Sequence, residues 1–249
     1  MAQVGVNTEN PQTILDVRGD MTVRNKIYVG GNDNLLGNHG KKGQVLVSQG
    51  PNKPPMWKTL NIPNYKENEF YMIFTDAFID NVGLSFDSNE AIGGSPLYNL
   101  NEDRSNAKFA KWKDIAGLNK DFFIYNSDNK VYITYEAVVQ ISGSGSGSVD
   151  YACGVFVDNK LQGVRVETMK QALNASNAFQ TFLMVIIAED LTDGKHTTKV
   201  SCARIRNNNY TGNFSIGKAI QSNINNFVAQ SSLKIEVYEV PENFIPVVD

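Results

Sequence analysis

The sequence predicts an all-β chain in two parts, and three observations carry that prediction. Strand-length stretches alternate apolar and polar residues: from Val131 to Ile141 the odd positions Val131, Ile133, Tyr135, Ala137, Val139 and Ile141 share one face, while Thr134, Glu136 and Gln140 share the other. Leu233, Ile235 and Val237 likewise oppose Lys234, Glu236 and Tyr238, as expected where two antiparallel sheets pack with one face of each inward. Gly, Asn and Pro clusters separate these runs, and good helix formers gather only at Glu167 to Leu173, where one or two helical turns are expected.

Residues 1–60 read as a first part of short strands. Small apolar groups (Ile14, Leu15, Val17; Met21, Val23; Ile27, Tyr28, Val29) alternate with turn residues at Asn10-Pro11, Arg18-Gly19-Asp20 and Gly30-Gly31. So little apolar surface is marginal for a single copy, and winding against identical segments is the natural way to bury it, so an intertwined oligomer is expected. Pro54, Pro55 and Pro63 restrict the backbone around Trp57, which places a linker at 61–65. Residues 66–249 then form a β-sandwich. Its strands are expected at Phe70 to Thr75, Val131 to Ile141, Tyr151 to Val157, Phe179 to Ala188, Thr197 to Ile205 and Leu233 to Val240.

Three sets of residues resemble known families. Val4-Gly-Val-Asn-Thr-Glu-Asn-Pro-Gln-Thr-Ile-Leu-Asp-Val-Arg-Gly19 resembles an element of bacteriophage tail fibres and other fibrous virion proteins, with Asn7 where that family usually has Gly. Gln44, Val45, Leu46, Ser48, Gly50 and Trp57 match a second element, which recurs in phage fibre and collar proteins. Further on, Val155 to Lys160, Leu191 to Val200 and Leu233 to Glu239 are similar to strands of the trimeric jelly roll of TNF-like and C1q-like domains. These resemblances imply a homotrimeric virion fibre, of the head or tail, with a jelly-roll-like knob. Its closing strand (Leu233, Ile235, Val237, Tyr238) would lie near the threefold axis, and Val6, Pro11, Leu15 and Val17 would attach it to other virion proteins of the capsid or tail. The flavour of the composition resembles that of crAss-like phages.

Composition narrows the classes. The 249 residues are 41% hydrophobic and 20% charged, enough apolar content for a folded core. A formal charge of −3, with Lys41-Lys42 the one dense basic spot, gives no reason to expect nucleic acid. No apolar run reaches membrane-span length and the N-terminus lacks the pattern of a secretion signal, so no membrane insertion is expected; the phage resemblance implies a virion component assembled in the host bacterial cytoplasm. Cys153 and Cys202 sit in strand-like apolar surroundings and read as buried free thiols, the alternative being one bridge between neighbouring strands.

No catalytic, cofactor or metal site is expected. Ser142 to Ser148 has the glycines of a phosphate loop without its Lys-Ser/Thr ending, and reads as a strand connector. His39 and His196 have no partner at a metal-ligand spacing. Asp87, Glu90, Glu102, Asp103, Glu189 and Asp190 lie mostly among Asn, Ser and Gly, as solvated loop charges do. Arg18-Gly-Asp20 is a turn, and the glycosylation-like triplets at Asn174, Asn209 and Asn213 follow from an Asn-rich composition. The long polar stretches 81–106 and 207–213 are the candidate ligand loops: Tyr98 and Tyr210 are able to stack on a sugar, and Asn99 and Asn208 to donate to and accept from its hydroxyls. The expected function is therefore non-enzymatic adhesion to host surface carbohydrate. The alternatives are a capsid decoration protein that touches no receptor, a capsule-degrading depolymerase, and a secreted C1q-like protein.

Overall fold

The computed structural model describes residues 3–59, 68–94, 97–173 and 177–241. The expected linker at 61–65 and the triplet at Asn174 lie outside the described residues. The chain divides into two compact units, one formed mainly by its first 64 residues and one running from residue 65 to 244.

In the first unit β1 (Val4–Val6) pairs in parallel with β2 (Leu15–Val17), and β3 (Gln44–Val47) forms a hairpin with β4 (Met56–Thr59). Asn7 explains itself: its φ of +59° is left-handed, a region in which Gly and Asn are tolerated, and its side chain donates to the Arg18 carbonyl at 3.2 Å. Gly40, at φ +73°, lies under Trp57, whose ring would collide with any Cβ there, and the indole Nε1 donates to the Asn38 carbonyl. Gly40 is the only buried residue described in this unit.

The second unit is a jelly-roll-like β-sandwich. In its six-stranded sheet β9 (Asn129–Ile141) carries β12 (Phe179–Glu189) on one edge and, on the other, β15 (Ser231–Glu239) followed by β14 (Phe214–Ile216). Outside these lie β5 (Tyr71–Asp80) and β6 (Leu84–Phe86). In the facing sheet β11 (Lys160–Lys170) pairs with β10 (Ser148–Val157), which pairs with β13 (Gly194–Asn208). The far edge of β13 takes β7 (Lys113–Asp114) and β8 (Lys120–Ile124). All of these pairings are antiparallel, and the six strands read from the sequence of this region are present.

The inward faces meet in one core that contains Val131, Ile133, Tyr135, Tyr151, Val155, Phe182, Leu233, Ile235 and Val237. Tyr135, Phe182, Tyr151 and Phe214 pack ring to ring at 5.1–5.8 Å. Each large apolar side chain fully buried in this way stabilises the fold by roughly 1.5–3 kcal/mol. A second cluster joins Phe109, Trp112, Ala152, Phe156, Leu161, Ala203 and Ile205. Here the excursion between β6 and β8 covers the outer face of β10 and β13, anchored by the Ile92 and Gly93 amides on the carbonyls of Arg204 and Ile205.

Two expectations are corrected. Glu167 to Leu173 is not helical. β11 runs through Lys170, with Glu167 opposite Tyr151 and Met169 opposite Val149, because pairing with β10 and burial of Met169 outweigh a modest helix propensity. Cys153 and Cys202 are not free thiols either. They face each other across the β10–β13 ladder, Cα atoms 4.1 Å apart, and are joined by a disulfide.

Candidate functional site

The fibre-like residues of the first unit are brought together. Val6 pairs with Val17 and Leu15 with Val4, Pro11 lies against Gly5, and the Val4 and Arg18 amides close the ladder on the carbonyls of Ile14 and Val6. Pro11 and Val17 are half-buried, whereas Val6 is 49% and Leu15 56% exposed, as are Ile14, Met21, Leu35, Leu36 and Met56 at 45% or more.

The closing strand divides by parity. Leu233, Ile235 and Val237 are wholly consumed by the core of their own sandwich, and of the four residues expected near an axis only Tyr238 points outward. Its ring meets Tyr132 edge-on at 5.3 Å, and the two, with Phe70, Lys130 and Glu236, line a concavity of about 370 Å³. Beside it the outer face of β12 presents Phe179, Leu183, Val185 and Ile187, and that of β5 presents Met72 and Ile79, all 45–64% exposed. The register sets Ile187 opposite Tyr132 and Tyr238 opposite Met72, so this is one surface. Unlike the outer face of the facing sheet, it has no covering excursion among the described residues.

The expected ligand tyrosines are turned inward. Tyr210 is 5% exposed, and its hydroxyl donates to the Asn213 carbonyl and accepts from the Ser142 amide. Tyr98 stacks on Phe109 at 5.9 Å and meets Trp112 edge-on, and burial pushes its hydroxyl up to about 12. Asn99 donates to Glu102 and Asn208 to Asp150. Both loops spend most of these groups on their own chain, with Tyr210 buried and Tyr98 half-buried.

The organiser of the second loop is a residue that the sequence did not single out. Arg204 is fully buried. Its Nε donates to Asn207 Oδ1 at 2.6 Å, one terminal nitrogen to the carbonyls of Phe86 and Gly212, the other to that of Tyr210. Burial holds its pKa below the ordinary arginine value, against the opposing influence of Tyr210, Asp87 and Glu90. The only sequence signal is a lone cation within the apolar run Val200 to Ile205.

The carboxylates are mostly paired with lysines: Glu90 with Lys113, Glu102 with Lys108, Asp103 with Lys160 and Glu189 with Lys130. Hydrogen bonds from Ser105 and Lys160 hold the Asp103 carboxyl well below the usual range. The Ser142–Ser148 connector is pinned by Gln171, which donates to the Ser142 carbonyl and accepts from the Gly147 amide. His39 packs against Tyr28, and His196 lies between Asp158 and the Thr192 carbonyl. Among the described residues no group of three or more His, Cys, Asp or Glu is placed to hold a metal ion.

No family model and no curated protein matches this chain. Solved structures that align with this chain include that of infectious bursal disease virus, Gx strain, at 10% identity and a TM-score of 0.30, over 79% of this chain and 41% of that one. The T=1 particles derived from the same virus align at 14% identity and a TM-score of 0.29, over 78% and 40%, and its VP2 subviral particle at 11% and 0.29, over 79% and 45%. The chain thus spans less than half the length of these proteins. A likeness of this size carries no statement about assembly or activity.

Proposed function

We propose that the chain is a non-enzymatic structural protein of a virion, a homotrimeric fibre. Its N-terminal segment winds with two sister segments and attaches to other virion proteins, and its β-sandwich is a knob that adheres to host surface glycans. One observation carries the reading: residues 3–59 bury no apolar side chain, while twelve large hydrophobic residues among them stand at 40% exposure or more. Such a segment has no core of its own, and sister copies supply one. It is also where the two fibre-like elements lie. In the knob, the uncovered face of β5, β15, β9 and β12 is the surface on which copies meet, which keeps the closing strand near the axis through Tyr238 rather than through Leu233, Ile235 and Val237. Three identical knobs on one stem add weak glycan contacts into avidity.

Sedimentation of the purified chain tests the reading. A species of three times 27.5 kDa that withstands mild denaturant is expected; a monomer at micromolar concentration refutes it.

A further inference from the structure

The reading above calls for a glycan contact, and the tyrosines expected to make it are internal. A different surface has the required chemistry. Phe123 and Tyr125 alternate outward along β8 and just beyond it, while Phe122 and Ile124 point into the core. Their rings lie nearly parallel, 6.4 Å apart at 19°, and are 49% and 72% exposed. Two stacked aromatic rings left in water form a flat apolar platform beside polar groups.

Those polar groups are built in. Opposite Phe123 across the ladder is Lys195, whose ammonium pairs with Asp121 at 2.7 Å, and Asp121 also accepts from the Thr197 hydroxyl at 2.8 Å. Thr197, about 7 Å further along β13 on the same face, opens a cleft of about 290 Å³ lined with Asn119, Asp158, Asn159 and Lys199. The far lip is the turn between β10 and β11, where Asp158 and Asn159 both take left-handed backbone angles, φ +50° and +63°. That turn is held in place. Asp158 Oδ1 accepts from the Thr197 amide, Oδ2 bonds His196 Nδ1 at 2.6 Å, and the Asn159 carbonyl accepts from the Arg104 amide. Among the described residues the side-chain amide of Asn119 has no protein partner, and that of Asn159 uses only its oxygen, on Lys199. Donors and acceptors thus face the cleft on a preorganised frame, which lowers the cost of ordering them on binding.

We propose that this surface binds a neutral oligosaccharide: Phe123 and Tyr125 take the C–H face of one sugar ring, and the cleft from Thr197 to Asn159 takes the hydroxyls of its neighbour. Neutral is specified because both lysines of this surface are already paired with carboxylates, Lys195 with Asp121 and Lys199 with Asp114, so neither is a free charge for an anionic sugar. The proposal rests on the adhesive reading and gives that reading a site.

The test uses the full chain on an array of neutral bacterial surface oligosaccharides, followed by calorimetric titration with the strongest hit. Tyr125→Ser and the double variant Phe123→Ser, Tyr125→Ser are compared with Tyr125→Phe, all shown to be folded by an unchanged thermal midpoint. Loss of about tenfold in affinity for each serine variant, with retention by Tyr125→Phe, supports the site. Asn119→Ala is expected to weaken binding several-fold through the cleft. A glycan bound equally well by wild type and the double variant overturns the site and leaves the adhesive reading standing. An array with no hit for wild type overturns both.

Discussion

Replacing Arg204 by Met keeps most of the buried volume and removes the guanidinium donors that tie the 207–213 loop to the sandwich. Four acceptors lose their partner: the carbonyls of Phe86, Tyr210 and Gly212, and Asn207 Oδ1. They are not equivalent. The bonds to Phe86 and Tyr210 are buried, so those carbonyls stay dry and orphaned, whereas the bonds to Gly212 and Asn207 are only partly buried and water replaces them. Two orphaned acceptors at roughly 1–3 kcal/mol each give a loss of about 4 kcal/mol, in line with the strong cost of breaking one side of a buried polar network. At 2–4 °C per kcal/mol for a unit of this size, the thermal midpoint falls by about 8–16 °C. Urea titration measures the loss directly, provided the slope is unchanged. Arg204→Lys separates charge from geometry. A lysine has three donors on one nitrogen and does not span a fan of four acceptors, so it recovers less than half of the loss. A loss below about 1 kcal/mol for Arg204→Met, or full recovery by Lys, would show that the guanidinium fork does not organise this loop.

Thiol titration of the unreduced, denatured chain should find no free thiol, and Cys153→Ala with Cys202→Ala should lower stability by about 2–4 kcal/mol, given a separation of 49 residues; two reactive thiols would contradict the bridge. Burial pushes the Glu239 carboxyl above its ordinary value, while the Tyr125 and Asn126 amides oppose it. Its protonated form is thus favoured by folding, and at neutral pH its charge is a cost. Glu239→Gln, which keeps the acceptor for the Tyr125 amide, should raise the urea midpoint at pH 7, with the gain fading as the pH falls through the raised folded value and vanishing well below the ordinary 4.5, where the carboxyl is neutral folded or unfolded; a gain that persists there would rule out the charge as its cause. On the proposed trimer, Ile187→Glu, on the uncovered face of β12, should shift the sedimenting species from threefold towards monomer with little change in unfolding of the β-sandwich; an undiminished threefold species would move the subunit contact elsewhere.

The clearest strands of the sandwich were legible because each buries one face only. In Val131 to Ile141 and Leu233 to Glu239 the alternation of apolar and polar residues is the direct imprint of a core on one side. The same rule explains what was missed. In Asp121-Phe-Phe-Ile-Tyr125 two of the three outward residues are themselves aromatic, so Phe122 to Tyr125 is one aromatic and aliphatic run and its alternation is hidden. Period-two reasoning separates inside from outside only when outside is polar, and a strand that presents a platform breaks that condition. The helix expected at Glu167 to Leu173 failed for a related reason: local propensity is worth tenths of a kcal/mol per residue, and pairing along β10 outweighs it.

The ligand tyrosines show the complementary error. Long polar loops rich in Asn look available because their side chains are able to bond anything, and that is why they bond their own chain first. Tyr210 and Asn208 are spent on Asn213 and Asp150, and Tyr98 roofs Phe109 and Trp112. Availability is a property of the frame. On β8 the two rings alternate outward from a ladder whose other face is fixed in the core, so they have nothing of their own chain to fold back upon. The same logic applies to the first unit, where Val6, Leu15 and Met56 are exposed because 57 described residues arranged as short ladders enclose no interior. Exposed apolar groups on a rigid frame mark where another molecule belongs, and their surroundings distinguish the two cases. An apolar neighbourhood, as in the first unit and on β12, suits a sister chain. A polar, hydrogen-bonded neighbourhood, as around Phe123 and Tyr125, suits a sugar.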